Sequence, residues 1–126
     1  MTLHGSVSAG AWSVASGNNN NDQWIAADLG EQKVLVSIVT QGSHGYDEYV
    51  KKYTIQIKIV PDFNYIDVVD EDGYVIEYEA NNERYNYKTN DLPGGTIASS
   101  VKLRPTQWHS HISLRWNIMG CENSGP

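Results

Sequence analysis

Apolar and polar side chains alternate within short segments of this sequence, and turn residues separate the segments; this pattern limits the possible folds more than any other. Residues 111–119 show it most clearly. In an extended strand, successive side chains point to opposite faces. Four large apolar side chains of this segment therefore share one face: Ile112, Leu114, Trp116 and Ile118. Since almost no stretch has helical periodicity, we predict an all-β fold, an antiparallel sandwich or barrel.

Six further segments have this character and are expected to form strands. They are residues 23–29, 34–41, 50–60, 65–69, 74–78 and 98–104. The most apolar of them, Val34–Gln41, is expected in the middle of a sheet. Pro61 is expected to end the third, because proline cannot donate to a strand ladder. Asp70–Gly73 predicts a hairpin turn in which Gly73 is free to adopt a positive φ. Residues 90–95 are expected to form another turn.

The size and charge of the chain limit its function. Its 126 residues suffice for one domain, which we expect over residues 1–121, with 122–126 as a tail or linker. Nine Lys and Arg against fifteen Asp and Glu give a net charge of −6, which argues against nucleic-acid binding. No apolar run approaches the roughly 20 residues of a membrane helix. The N-terminal residues lack the basic start and apolar stretch of a secretory signal.

The sequence contains few motifs that carry chemistry. It has neither a phosphate-binding glycine loop nor a G-x-S-x-G nucleophile motif, and nothing in it requires a cofactor. Acidic residues between 62 and 72 lack the spacing of a calcium loop. His109 and His111 point the same way on a strand, and His44 could join them around a metal, although exposed histidines are the commoner outcome. We therefore expect no metal, and predict a binding module rather than an enzyme.

Three segments, in one order, carry a resemblance to a known family. The first joins Ala11-Trp12 to Asp22–Gly30, the second joins Val39–Gly42 to Tyr49–Ile55, and the third joins Arg104–Arg115 to Met119–Cys121. Together they resemble the discoidin domain, also called the coagulation factor V/VIII type C domain, from about Leu3 to Cys121. The resemblance implies an eight-stranded antiparallel jelly-roll barrel in an extracellular protein. It also implies a binding module, whose ligands in different members are galactose-type sugars, anionic phospholipid, collagen or other adhesion partners.

The start of the chain departs from the family pattern. Family domains usually begin with a cysteine that pairs with the one matching Cys121, followed by an opening strand and a first projecting loop. This sequence begins after those features, and a single cysteine cannot form an internal disulfide. Cys121 is therefore expected to be a buried thiol or to pair with another chain. An absent strand would leave an open sheet edge, which favours a homo-oligomer.

The tryptophans divide into core and loop positions. Trp12, Trp24 and Trp116 lie within apolar alternation and are expected in the core. Trp108 lies in the polar segment 105–110, which predicts an exposed turn. Asp28 and Arg115 match positions that are usually charged in the family, so we expect them to form a structural ion pair between two strands.

We expect the ligand at one end of the barrel, where the resemblance places loops 4–10 and 43–48 and the turn 108–111. Sugar recognition uses an aromatic face and a few directional hydrogen-bonding groups. Tyr46 or Trp108 is expected to supply the face. The candidate ligand-binding residues are Ser6, Val7, Ser43, His44, Gly45, Tyr46, Asp47, Trp108, His109 and His111.

These residues favour a lectin-like adhesion module for galactose-type glycans or glycoproteins. The alternatives are binding to an anionic phospholipid surface and protein–protein adhesion. Lipid binding ranks below glycan binding because Val7 is the main apolar residue of the loops, while Asp47 and Glu48 repel anionic lipid. The resemblance implies a secreted or cell-surface location.

Overall fold

The computed structural model describes residues 6–14 and 18–122. Within these ranges the chain forms eight strands and no helix. The described residues therefore contain no helix that is long and apolar enough to cross a membrane. The strands are β1 (Ser6–Ser13), β2 (Ile25–Gln41), β3 (Tyr49–Lys58), β4 (Ile66–Asp67), β5 (Tyr78–Glu79), β6 (Lys88–Asp91), β7 (Ile97–His109) and β8 (Ser113–Glu122).

The strands pair antiparallel in the order β1-β8-β2-β7-β3-β4, with β6 on β2 and β5 on β3. This confirms the predicted all-β antiparallel class. The two segments expected at 23–29 and 34–41 are parts of one strand, β2, whose register on β7 shifts between Asp28 and Lys33. Gly30 lies within that irregularity with a φ of 82°, a conformation that glycine tolerates best. Beyond it β2 pairs with β8 on one side and β6 on the other, so Val34–Gln41 lies inside the sheet, as predicted.

The core confirms the alternation in β8 and β3. Ile112, Leu114, Trp116 and Ile118 are all buried. In β3, Tyr53 and Ile55 are fully buried. Val50 also faces inward, out of phase with Tyr53, because register shifts between residues 50 and 53 reset the alternation.

Tyr53 and Tyr78 are the two tyrosines of the core. Their rings stack with centroids 5.5 Å apart. Asn90 Nδ2 donates to the Tyr53 hydroxyl over 3.1 Å. Burial raises the pKa of both hydroxyls above the ordinary value, so both stay protonated and neutral in the core.

The prediction that Trp24 lies in the core is wrong. Trp116 is buried and Trp12 is half-buried against the core, but Trp24 is 51% exposed. The inward phase of β2 falls on Ile25 and Ala27, which pack against the core, and therefore turns Trp24 outward. The Lys102 ammonium lies 4.3 Å from the centre of the Trp24 ring.

The expected Asp28–Arg115 ion pair does not form. Asp28 Oδ1 accepts a hydrogen bond from the Gly30 amide over 2.9 Å, whereas Arg115 Nε donates to the Gly42 carbonyl over 2.9 Å. Arg115 stands opposite Gln41, at the other end of β2 from Asp28. The strand register therefore keeps the two charges apart.

The hairpin turn at residues 70–73 is confirmed. Gly73 has a φ of 87° and its amide donates to the Asp70 carbonyl over 3.0 Å. The strands on either side are shorter than expected: β4 and β5 each pair with β3, and the segments between them and the turn meet in an isolated Val69–Val75 bridge. The expected turn at 90–95 begins only after β6, which ends at Asp91.

Candidate functional site

Residues 43–48 form a short loop that joins β2 to β3. The Ser43 amide donates to the Glu48 carbonyl, and the Glu48 amide donates to the Tyr46 carbonyl, each over 2.8 Å. The loop begins at Gly42, where a Cβ would lie 2.6 Å from the Arg84 Cα and 2.9 Å from the Glu48 carbonyl oxygen. No other residue fits there without moving backbone, so Gly42 sets the path of the loop.

The loop borders a depression of about 300 Å³, which we call the loop depression. Four of the predicted ligand-binding residues line it: Ser43, His44, Gly45 and Tyr46. The opposite wall is formed by the adjoining ends of β1 and β8, including Trp12 and Arg115. Tyr46 is 70% exposed and Trp12 half-buried, so two aromatic rings and several hydrogen-bonding groups meet in one small concavity.

Arg115 is a site residue that the sequence does not reveal. It stands opposite Gln41 on one side and Ala11 on the other, and its bond to the Gly42 carbonyl ties it to the start of the loop. Among the described residues, no carboxylate oxygen lies within 4 Å of a nitrogen of Arg115. The sequence gives Arg115 an outward position on β8 and a match to a charged family position, but neither signal says which loop the side chain contacts.

Asp47, in the same loop, contacts His109 at the end of β7. His109 Nε2 lies 3.3 Å from Asp47 Oδ2, and the His109 ring stacks on Tyr49 with centroids 4.9 Å apart. These contacts bring segments 43–48 and 108–111 together, as the resemblance implied. Both Asp47 and His109 remain substantially exposed, so they are open to a ligand.

Trp108 lies elsewhere than predicted. It belongs to β7, opposite Val50, and packs half-buried against the core. Its open side faces a separate depression of about 270 Å³, shared with Lys51 and Gln107. The turn expected at 105–110 is wrong because β7 continues through Pro105, which falls at a register shift where a missing N–H is tolerated.

His111 is engaged by the chain itself. Asn19 Nδ2 lies 3.0 Å from its Nδ1, and its Nε2 lies 2.6 Å from the Val14 carbonyl. Because a carbonyl only accepts, Nε2 carries the proton and Nδ1 accepts. Asn19 Oδ1 in turn accepts from the Ile112 amide over 2.7 Å. Both ring nitrogens of His111 are thus occupied by partners within the chain. Among the described residues, no group of three His, Cys, Asp or Glu side chains is placed to hold a metal ion.

We expect His111→Ala to destabilise the fold rather than to change a ligand contact. The variant leaves the Val14 carbonyl and the Asn19 amide without partners, which should lower the free energy of unfolding by about 1–3 kcal/mol. Urea denaturation measures this. His44→Ala is the matched control, because His44 is exposed and should leave stability unchanged. Equal stability of the two variants would contradict the structural role.

Ser6 and Val7 lie outside this cluster. The loop expected at 4–10 is wrong for residues 6–10, which begin β1; His4 lies outside the described residues. Ser6 pairs with Met119 and Val7 with Ile118, whereas the loop end of β1 is Ser13. Ser6 and Val7 therefore lie at the end of β1 that is farthest from the loop depression.

Comparison with known proteins decides the family. Residues 2–118 match the F5/8 type C domain. The chain belongs to the F5/8 type C domain family. Retinoschisin of Takifugu rubripes is 32% identical over 104 residues, which are 82% of this chain and 37% of that protein. Lactadherin of Rattus norvegicus is 31% identical over 113 residues, 88% of this chain and 26% of that protein. This F5/8 type C domain therefore spans less than half the length of these relatives.

Solved structures confirm the jelly-roll fold of this F5/8 type C domain. Discoidin II of Dictyostelium discoideum matches with a TM-score of 0.75 and 27% identity, over 88% of this chain and 41% of that one. The family 32 carbohydrate-binding module of Clostridium perfringens NanJ, solved with galactose, matches with a TM-score of 0.56 and 14% identity, over 90% of this chain and 93% of that one. Discoidin-type domains are binding modules, and the resemblance stated from the sequence is confirmed.

Proposed function

We propose that this F5/8 type C domain is a lectin-like adhesion module that binds galactose-type glycans or glycoproteins in the loop depression. The observation that carries the proposal is the convergence of Ser43, His44, Tyr46, Trp12 and Arg115 on one concavity. Two aromatic rings can cover the C–H face of a sugar, while hydroxyl, imidazole and guanidinium groups bond its hydroxyls. Asp47, in the same loop, and His109, which it contacts, extend this set.

The size of the loop depression supports a short ligand. Small-molecule sites are commonly about 300–1,000 Å³, and this one lies at the lower limit with about 300 Å³. It therefore suits a single sugar residue. Such a contact is weak by itself, so avidity through several copies is part of the proposal. β1 pairs with β8 alone among the described strands, and its outer edge is where a second copy would pair.

The charge of the loop argues against anionic phospholipid at this end. Asp47 is exposed and Glu48 half-buried in the loop that borders the depression, and an anionic headgroup would be repelled by both carboxylates. We place the domain outside the cell, as an adhesion module without catalytic activity, in line with the secreted or surface location that the family resemblance implies.

The proposal predicts that Tyr46→Ala weakens binding of lactose about three- to tenfold, because the variant removes an aromatic face worth about 0.5–1.5 kcal/mol. Isothermal titration calorimetry measures the affinity. Tyr74→Ala is the matched control: Tyr74 is 72% exposed against 70% for Tyr46 but lies in the 70–74 hairpin. A glycan array that shows no galactoside binding by the wild-type domain would contradict the proposal, as would equal effects of the two tyrosine variants.

A further inference from the structure

The outer face of the sheet carries a second depression beside the loop depression. It measures about 260 Å³, and we call it the sheet depression. Ala11 and Arg115 line both depressions, so the two are neighbours with Arg115 between them. The other wall residues used below are Gln41, Tyr87 and Asn117.

The strand register explains why this hollow exists. Gln41 stands opposite Arg115, and Arg115 stands opposite Ala11, so one row of side chains crosses β2, β8 and β1. Strands lie roughly 4.8 Å apart. Thr40 pairs with Lys88, which places the preceding Tyr87 beside Gln41 at the other end of the row. The side chains of this row decrease in size from the ring of Tyr87 at one end to the methyl group of Ala11 at the other, and Gly10 lies next to Ala11. This decrease in side-chain size forms the depression.

The charge of the two depressions is unusual for this protein. The chain carries a net charge of −6, yet neither lining contains an Asp or Glu. Arg115 supplies a permanent positive charge there, and no carboxylate of the described residues lies within 4 Å of it. A guanidinium without an acidic partner, at a hollow free of carboxylates, is a site for an anionic group.

The remaining groups suit a carboxylated sugar. Asn117 is half-buried on the outer face of β8 and carries an amide that can donate. The ring of Tyr87 is 68% exposed and offers a flat apolar surface. The Gln41 amide nitrogen already donates to the Tyr85 carbonyl, so its side-chain oxygen is left to accept from a ligand hydroxyl.

We propose that the sheet depression binds a carboxylated sugar that adjoins the galactose-type residue, so that the domain prefers acidic glycans such as sialylated galactosides. This inference rests on the proposed function, because the loop depression holds the first sugar. Arg115 stands between the two hollows and bonds the carboxylate. Tyr87 packs against the apolar side of the second sugar, and Asn117 bonds its polar substituents.

Calorimetric titration with lactose and with sialyllactose tests the inference. We expect the wild-type domain to bind sialyllactose about tenfold more tightly than lactose at low salt, with a preference that shrinks as salt is added. Asn117→Asp places a carboxylate in the sheet depression and should remove the preference, because it repels the anionic sugar far more than neutral lactose. Tyr87→Ala should reduce the preference about threefold or more. Tyr85→Ala is the matched control, since Tyr85 is 65% exposed and does not line the depression.

The two proposals fail in distinguishable ways. Equal affinity for lactose and sialyllactose in the wild-type domain overturns the acidic subsite and leaves the galactoside site standing. Sialyllactose binding without lactose binding contradicts the galactoside site and supports the acidic one. If Asn117→Asp keeps the preference for sialyllactose over lactose, the sheet depression is not where the carboxylated sugar binds. The same follows if Tyr85→Ala lowers this preference as much as Tyr87→Ala does. Binding of neither sugar contradicts both.

Discussion

Arg115→Ala is expected to weaken lactose binding roughly ten- to hundredfold, because hydrogen bonds to a charged group contribute about 1.5–3 kcal/mol. Arg115 lines the loop depression and holds the Gly42 carbonyl at the start of the loop. The variant therefore removes a ligand contact and loosens the wall that faces it. Calorimetric titration measures the loss, with circular dichroism on the same samples to show that the strands persist.

Arg115→Lys separates charge from geometry. Lysine keeps the positive charge but has no planar fork to bond two sugar hydroxyls at once, so we expect most of the loss to remain. Arg104→Ala is the matched control, because Arg104 is a half-buried arginine on β7 that lines neither depression. A folded Arg115→Ala domain with wild-type affinity would show that Arg115 only supports the loop.

Trp116→Ala should lower the free energy of unfolding by about 3–5 kcal/mol, the usual cost of removing a large aromatic side chain from a packed core. Trp116 is 2% exposed and lies on the inward face of β8 among Leu114 and Ile118. Domains of this size have only about 5–15 kcal/mol of stability in total, so the variant would approach unfolding at physiological temperature. Urea denaturation followed by circular dichroism measures the change.

Trp116→Phe is the informative control. The indole Nε1 is buried and has no hydrogen-bond partner within the described residues, so phenylalanine sacrifices no bond and leaves only a modest cavity. We expect a cost of about 1 kcal/mol. A cost similar to that of Trp116→Ala would indicate that the indole nitrogen forms a hydrogen bond in the folded protein.

Much of the fold can be predicted from the sequence because a two-residue period is a local property. The inward faces of β3 and β8 follow from it, and so does the Asp70–Gly73 turn, whose side-chain chemistry acts within four residues. Trp24 shows the limit of this reasoning. Its neighbourhood is apolar, but the phase of the strand is set by Ile25 and Ala27, and a shift of one residue exchanges core for solvent.

Part of the candidate site could likewise be predicted from the sequence, and part could not. Segment 43–48 could be placed at a barrel end from the resemblance, and its exposure follows from its polar composition. The separate position of Trp108 and the engagement of His111 by Asn19 and Val14 depend on partners far along the chain. No local pattern encodes such contacts, so they could not be anticipated.

Strand character, the inward faces of β3 and β8, the acidic charge and the family all follow from the amino-acid sequence, because each depends on neighbouring residues or on composition. The contact of Arg115 with Gly42 instead of Asp28, and the two depressions that adjoin at Arg115, become visible in the folded chain alone. Register between distant strands is set by bulges, turns and core packing acting together. A site assembled across β1, β2 and β8 therefore exists only once those strands have paired.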